Sequence, residues 1–169
     1  QVCAAADAAG ILGECAGLQA LLRIESSSCQ NKVSRAGAYG CMQILPATAK
    51  MVDPNRFKNP DGSEMSDAEI AVILRDDDQY NIALGAKIYA RAYDQYRGQE
   101  NAEEKIYAAY NGGHGANGAS RDCPGLMRWQ CEYDNPQHTI RDEGYEETRN
   151  YVRNAMELRR ILDSQVERN

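Results

Sequence analysis

An all-α fold is predicted by three features of this chain. Its 169 residues include 23 Ala against 6 Val, 3 Thr and 1 Phe, and it is the branched and aromatic side chains that favour a pleated sheet. Apolar residues recur at spacings of three and four, the period of one helix face. Gly and Pro gather between those stretches rather than within them. The length suits one domain, residues 1–169, burying roughly 70% of the surface of its unfolded chain.

The elements follow in order. A short helix is expected in Val2–Ala9, then one from Ile11 to Ile24, with breaks at Gly10 and Gly13. On the second, Cys15, Leu18, Leu22 and Glu25 are spaced three, four and three apart, along one face. Ser26 to Gly40 reads as loop. Pro46 suits the first position of a short helix ending near Asp53-Pro54, and residues 53–65 return to loop. Ser66-Asp67-Ala68-Glu69 is a capping box before the apolar run Ile70–Leu74. After Asp76-Asp77-Asp78 a long helix carries Ile82, Ala86, Tyr89, Tyr93 and Tyr96 on one stripe and stops at Gly98. Asn101 with Glu104 has the pattern of a further cap, for a helix reaching Tyr110. Residues 111–144, with six Gly and two Pro, read as an irregular excursion. A last helix spans Tyr145–Val166, with Tyr151, Ala155, Leu158 and Leu162 inward.

Composition excludes several functions. With 19 Lys and Arg against 25 Asp and Glu, the formal charge is −6, so the basic footprint of a nucleic-acid binder is missing. No apolar run approaches the ~18 residues of a membrane span. Six cysteines (Cys3, Cys15, Cys29, Cys41, Cys123 and Cys131) with no C-x-x-C pair and only two His fit metal ligation poorly. Three disulfides in an oxidising, extracytoplasmic compartment fit better. Six cysteines allow about fifteen pairings, and spacing favours Cys123–Cys131 first because it closes a short local loop. A start at Gln1 without Met is expected of a processed or trimmed chain. The segment from Asp53 to Glu64 fails as a calcium loop, because counting back from Gly62 puts Phe57 at the first ligand position. No metal and no cofactor is expected.

Glu25 is the chemical anomaly. A carboxyl ending an apolar stripe is disfavoured as an anion by desolvation, and the negative pole of the helix C-terminus adds to that. A carboxyl raised from about 4.3 toward about 6 holds a proton near neutrality and can deliver it to a leaving group. The alternative is a Glu turned to water at a frayed end.

The residues after Glu25 bear on that choice. Glu25-Ser26, Ser34, Gly37-Ala38-Tyr39-Gly40, Met42-Gln43, Pro46 and Thr48-Ala49 follow without a gap. This run closely resembles the signature of the soluble lytic transglycosylases (SLT family) and their goose-type lysozyme relatives. Ala109-Tyr110-Asn111 with Gly113 and Gly115 is similar to the family's A-Y-N-x-G-x-G segment. Glu147-Thr148-Arg149-Asn150-Tyr151-Val152 is similar to its E-T-x-x-Y-V segment.

The resemblance implies a single lysozyme-like, all-α catalytic domain with irregular, disulfide-tied loops. It implies a glycosidic-bond lyase cutting the β-1,4 link between N-acetylmuramic acid and N-acetylglucosamine in peptidoglycan, with formation of 1,6-anhydro-muramic ends. Carried over by position, Glu25 is the single acid/base. Ser34, Gln43, Tyr110 and Asn111 line the site, with Ser34 and Tyr110 orienting the carboxyl. Met42, Glu147 and Tyr151 follow as substrate-binding candidates, although Met42 also reads as core packing and Tyr151 lies on an apolar stripe. Ordinary glycosidases need two carboxyl groups. Here the substrate's own acetamido group and C6 hydroxyl replace the second, and neither Asp53, Asp76–Asp78 nor Asp142 occupies a matched position. The Asp run reads as a solvated helix-start cluster.

Tyr39, Tyr107 and Tyr110 are candidates to line a sugar groove, and Trp129 either lines its far end or plugs the excursion. Departures from the family pattern are Ser28, Gly112, His114 and Cys41, the last where Leu is usual. A Cys29–Cys41 bridge would pin the catalytic loop, but sequence does not choose among the pairings of Cys29, Cys41, Cys3 and Cys15. Glycan strands of peptidoglycan are the implied partner. A transenvelope secretion or conjugation machine and a phage particle are the settings considered, which places the chain in the periplasm, outside the cell or on a virion. A hydrolytic muramidase of the same fold and a catalytically silent peptidoglycan-binding module are the alternatives.

Overall fold

The computed structural model describes residues 1–132 and 145–166. The all-α expectation holds. Seven α-helices and two 3-10 turns carry the described residues, and extended pairing among them is limited to isolated bridges such as Val33 with Tyr39 and Tyr39 with Ile44. Two compact units, Gln1–Ala90 and Arg91–Asn169, divide the chain.

In the first unit, α1 (Val2–Ala8) packs on α2 (Cys15–Ser26), and a Cys3–Cys15 disulfide joins them. Helix α2 begins at Cys15 rather than Ile11, because Gly10 and Gly13 hold φ of +78° and +86°, which no right-handed helix contains. Ile11 is buried all the same, as a loop residue. The buried face of α2 is Gly17, Leu18, Ala20, Leu21 and Ser26. Cys15, Leu22 and Glu25 are half-buried, so the expected stripe is the flank of that face rather than its centre.

Pro46 opens α3 (Pro46–Val52), where its missing N–H costs nothing. The Ser66/Glu69 capping box forms and opens α4 (Asp67–Asp76), which packs against α3. The long helix α5 (Asp78–Tyr96) follows, its residues from Arg91 on belonging to the second unit, with Ile82, Ala86, Tyr89 and Tyr96 buried and Tyr93 half-buried. The acidic run ahead of it lies at the surface, with Asp76 and Asp77 exposed and Asp78 half-buried, and it makes pairs there. Asp77 Oδ1 accepts the Tyr80 N–H at 2.9 Å, Asp78 pairs with Lys32 at 2.6 Å and Asp76 with Arg75 at 2.6 Å. The Tyr80 hydroxyl donates to Asp53 at 3.1 Å, and burial together with the Asp53 charge pushes this phenol above its ordinary pKa.

In the second unit, α6 (Ala102–Gly112) packs along α7 (Glu146–Val166). Asn101 makes no side-chain cap on α6. It takes a left-handed φ of 54° itself, which short polar residues tolerate. Helix α6 runs two residues past Tyr110, so Asn111 is helical rather than the start of the excursion. On α7, Tyr151, Val152, Ala155 and Leu162 are buried and Leu158 is half-buried. The excursion holds 3-10 turns at His114–Asn117 and Arg128–Gln130 and the Cys123–Cys131 disulfide. Its remainder, residues 133–144 with Asp142, lies outside the described residues. No helix among the described residues is long and apolar enough to cross a membrane.

Candidate active site

Glu25 is the penultimate residue of α2 and is half-buried. The helix ends one residue later, where Ser27, Ser28 and Cys29 successively take φ of 50°, 59° and 69°. Three left-handed residues in a row, none of them Gly, turn the chain sharply at the end of α2. Ser26 is buried and bonded into the neighbouring loop, its hydroxyl donating to the Cys41 carbonyl at 2.6 Å. A disulfide between Cys29 and Cys41 joins the same two segments.

That loop carries three of the expected site residues, and each has a structural task. Ser34 Oγ accepts the Ala38 N–H at 2.9 Å and closes a turn. Gln43 has a φ of 48°, and its amide nitrogen donates to the Gly40 carbonyl at 2.8 Å and to Asn31 at 3.3 Å. Both side chains stay half-buried, and the Gln43 amide oxygen has no partner among the described residues. Met42 is a correction. It is 0% exposed and packs so closely on Gly85 that an added Cβ there would meet Met42 Cγ at 2.6 Å. A side chain without surface touches no substrate, so Met42 is a packing residue.

Asn81 of α5, to which the sequence pattern drew no attention, governs this loop. It is fully buried, its Oδ1 accepts the Met42 N–H at 2.7 Å and its Nδ2 donates to the Tyr39 carbonyl at 3.0 Å. Gly40 lies against it, where a Cβ would overlap both the Asn81 amide and the Leu74 carbonyl. The available signal was Asn81 itself, a polar residue one helical turn before Gly85 and two before buried Tyr89.

In the second unit, Tyr110 and Asn111 are half-buried near the end of α6. Asn111 Oδ1 accepts the Thr148 hydroxyl at 2.8 Å, and its Nδ2 lies 3.5 Å from Glu147 Oε1. Glu147 is exposed, whereas Tyr151, on the inward face of α7, is 6% exposed. Thr148, buried and bonded to Asn111, is the residue of this segment that sequence reasoning left without a task. Tyr107 is fully buried, which removes it from the groove candidates. Trp129 is only 8% exposed and forms part of the wall of a cavity of about 1070 Å³, together with Val152, Arg153 and Met156. Apart from Trp129, none of the expected site residues lines that cavity.

Among the described residues, the ligand atoms of Cys29, Cys41 and Asp78 lie within 4.8 Å of one another, but the two sulfurs are bonded to each other. That arrangement offers one carboxylate, not a metal ligand set.

The family model of the transglycosylase SLT domain matches residues 13–123. This span holds Glu25, the loop under Asn81 and the Tyr110-Asn111 pair, and it ends before α7. No curated protein and no solved structure matches the chain.

Proposed function

The chain belongs to the transglycosylase SLT domain family, whose fold is lysozyme-like, and from that premise we propose that it is a peptidoglycan lytic transglycosylase with Glu25 as its one acid/base. The observation that carries the reading is the setting of Glu25: a half-buried carboxyl at the end of α2, inside the matched span, beside a loop locked to the helix through Ser26 and Cys41. A general acid needs that fixed geometry before it needs anything else.

The reaction runs in two proton transfers. Protonated Glu25 donates to the glycosidic oxygen between N-acetylmuramic acid and N-acetylglucosamine, and the C1–O bond breaks. The acetamido oxygen of the muramic residue shares the positive charge that develops at C1. Glu25, now a carboxylate, takes the proton of the C6 hydroxyl as that oxygen bonds to C1. The 1,6-anhydro ring forms, Glu25 regains its proton and no water is consumed. Within the first unit Gln43 supplies an amide group for sugar hydroxyls and Ser34 a hydroxyl for the carboxyl, and within the second Asn111 and Tyr110 offer an amide and a hydroxyl to the glycan. Substrate and disulfides together support an extracytoplasmic location.

Product analysis tests the reading. Digested murein should carry 1,6-anhydro-muramic ends, lighter by one water than hydrolytic ends, and Glu25→Gln should abolish them. Exclusively hydrated ends would replace the lyase with a muramidase. Undiminished clearance by Glu25→Gln would overturn the assignment of Glu25.

A further inference from the structure

We propose that Ser26 is a positioning residue for Glu25, acting together with the Cys29–Cys41 disulfide as a single clamp on the end of α2. The proposal rests on the reading of Glu25 as the acid.

A serine in a helix ordinarily returns its hydroxyl to the carbonyl one turn back. Ser26 lies 3.3 Å from the Leu22 carbonyl, but it has one proton, and the Cys41 carbonyl at 2.6 Å is the better acceptor. The lone pairs of the same oxygen accept the Cys29 N–H at 2.8 Å. The Ser26 carbonyl accepts the N–H groups of Gln30 at 2.8 Å and Asn31 at 2.9 Å. One buried residue thus satisfies the main chain on both sides of the left-handed turn and ties it to the facing loop.

The turn needs such support. Left-handed backbone is unfavourable for every residue with a Cβ, and it persists only where the surroundings over-determine it. Ser27, Ser28 and Cys29 all adopt it, and Cys29 ends the run covalently bonded to Cys41. Hydroxyl and disulfide therefore run in parallel between the same two segments. The anchor on the far side is firm, since the residue after Cys41 is Met42, whose N–H is held by Asn81. Because Glu25 precedes Ser26 directly, any slack at this clamp becomes displacement of the carboxyl.

A control is built into the chain. Cys3–Cys15 and Cys29–Cys41 each span 12 residues, so removal of either releases a similar loop-closure entropy to the unfolded state. A stability role alone would give the two removals the same effect on turnover. The experiment compares Ser26→Ala, Cys29→Ala/Cys41→Ala and Cys3→Ala/Cys15→Ala in the full chain. It measures kcat and KM for anhydro-muropeptide release from murein, at a temperature where circular dichroism shows each variant folded.

Ser26→Ala and the Cys29/Cys41 variant should lose about 10- to 100-fold in kcat, the scale of a misplaced catalytic group, with KM changed by less than about threefold. The Cys3/Cys15 variant should keep kcat within about twofold of the parent. Equal kcat in the two disulfide variants would overturn the proposal, as would parental kcat in folded Ser26→Ala. If Ser26→Ala does not fold, the disulfide comparison decides alone. An active Glu25→Gln would defeat the underlying reading instead. An inactive Glu25→Gln beside fully active clamp variants would defeat only the positioning role.

Discussion

Asn81 holds the main chain of Met42 across 39 residues of sequence, its buried Oδ1 accepting the Met42 N–H at 2.7 Å while its Nδ2 reaches the Tyr39 carbonyl at 3.0 Å. Both loop groups lose their partner if the amide is removed. Asn81→Leu keeps the volume and strands a donor and an acceptor out of water, each costing about 1–3 kcal/mol. Urea unfolding should therefore show a loss of about 2–6 kcal/mol. A loss below about 0.5 kcal/mol would mean that water or another group takes over both bonds.

Gly37 and Gly40 separate two reasons for glycine in the same loop. Both have positive φ, +79° and +81°, yet a Cβ at Gly37 meets nothing within 4 Å, whereas at Gly40 it overlaps Asn81 and the Leu74 carbonyl. Gly37→Ala should cost only the left-handed penalty of about 1–2 kcal/mol. Gly40→Ala adds overpacking against backbone and should cost about 3–5 kcal/mol. Thermal melts of the two variants give the comparison, and equal midpoints would show that Asn81 and Leu74 yield freely.

What the sequence made legible was local. Spacing marked the helix faces, Pro46 and the Ser66/Glu69 box marked two helix starts, and both are present. Asn101 and Glu104 carried the same local pattern, but the chain reaches α6 through a left-handed Asn101, which points the side chain away from capping geometry. Apolar character could not separate surface from core for Met42, Tyr107 and Tyr151, which are all buried. Asn81 went unmarked, and Ser26 and Thr148, though inside the quoted motifs, were given no task, for a common reason. Each acts through a partner 15 to 39 residues away, and such pairing leaves no trace in the spacing of neighbours.

The capping box gives the first helix turn of α4 a pH dependence. Glu69 accepts the Ser66 hydroxyl at 2.7 Å and the Ser66 N–H at 2.8 Å, and these bonds lower its pKa from an ordinary 4.5. A carboxyl whose folded pKa lies below its unfolded value stabilises above the unfolded pKa. That contribution disappears as pH falls through the folded value. The difference in melting temperature between parent and Glu69→Ala should be constant near neutrality and shrink as the pH falls below the ordinary 4.5 and through the lowered folded value. A difference that persists undiminished in acid would assign the effect to helix propensity rather than to the carboxylate.

Thr148 decides which way the Asn111 amide faces. Its buried hydroxyl donates to Asn111 Oδ1 at 2.8 Å, which leaves Nδ2 on the side of exposed Glu147. The neighbouring Gly112 permits the approach, since a Cβ there would come within 2.8 Å of Thr148 Oγ1. Thr148→Val preserves the shape of the side chain and removes the donor, so stability should fall by about 1 kcal/mol. The freed amide can then rotate and present oxygen or nitrogen to a sugar hydroxyl with equal ease. KM for murein should therefore rise about three- to tenfold with kcat nearly unchanged, the pattern of an interaction made equally in ground and transition states. Thr148→Ser, which keeps the hydroxyl, should restore KM. Failure of Ser to do so would place the effect of Thr148 in its methyl group and its packing on α6.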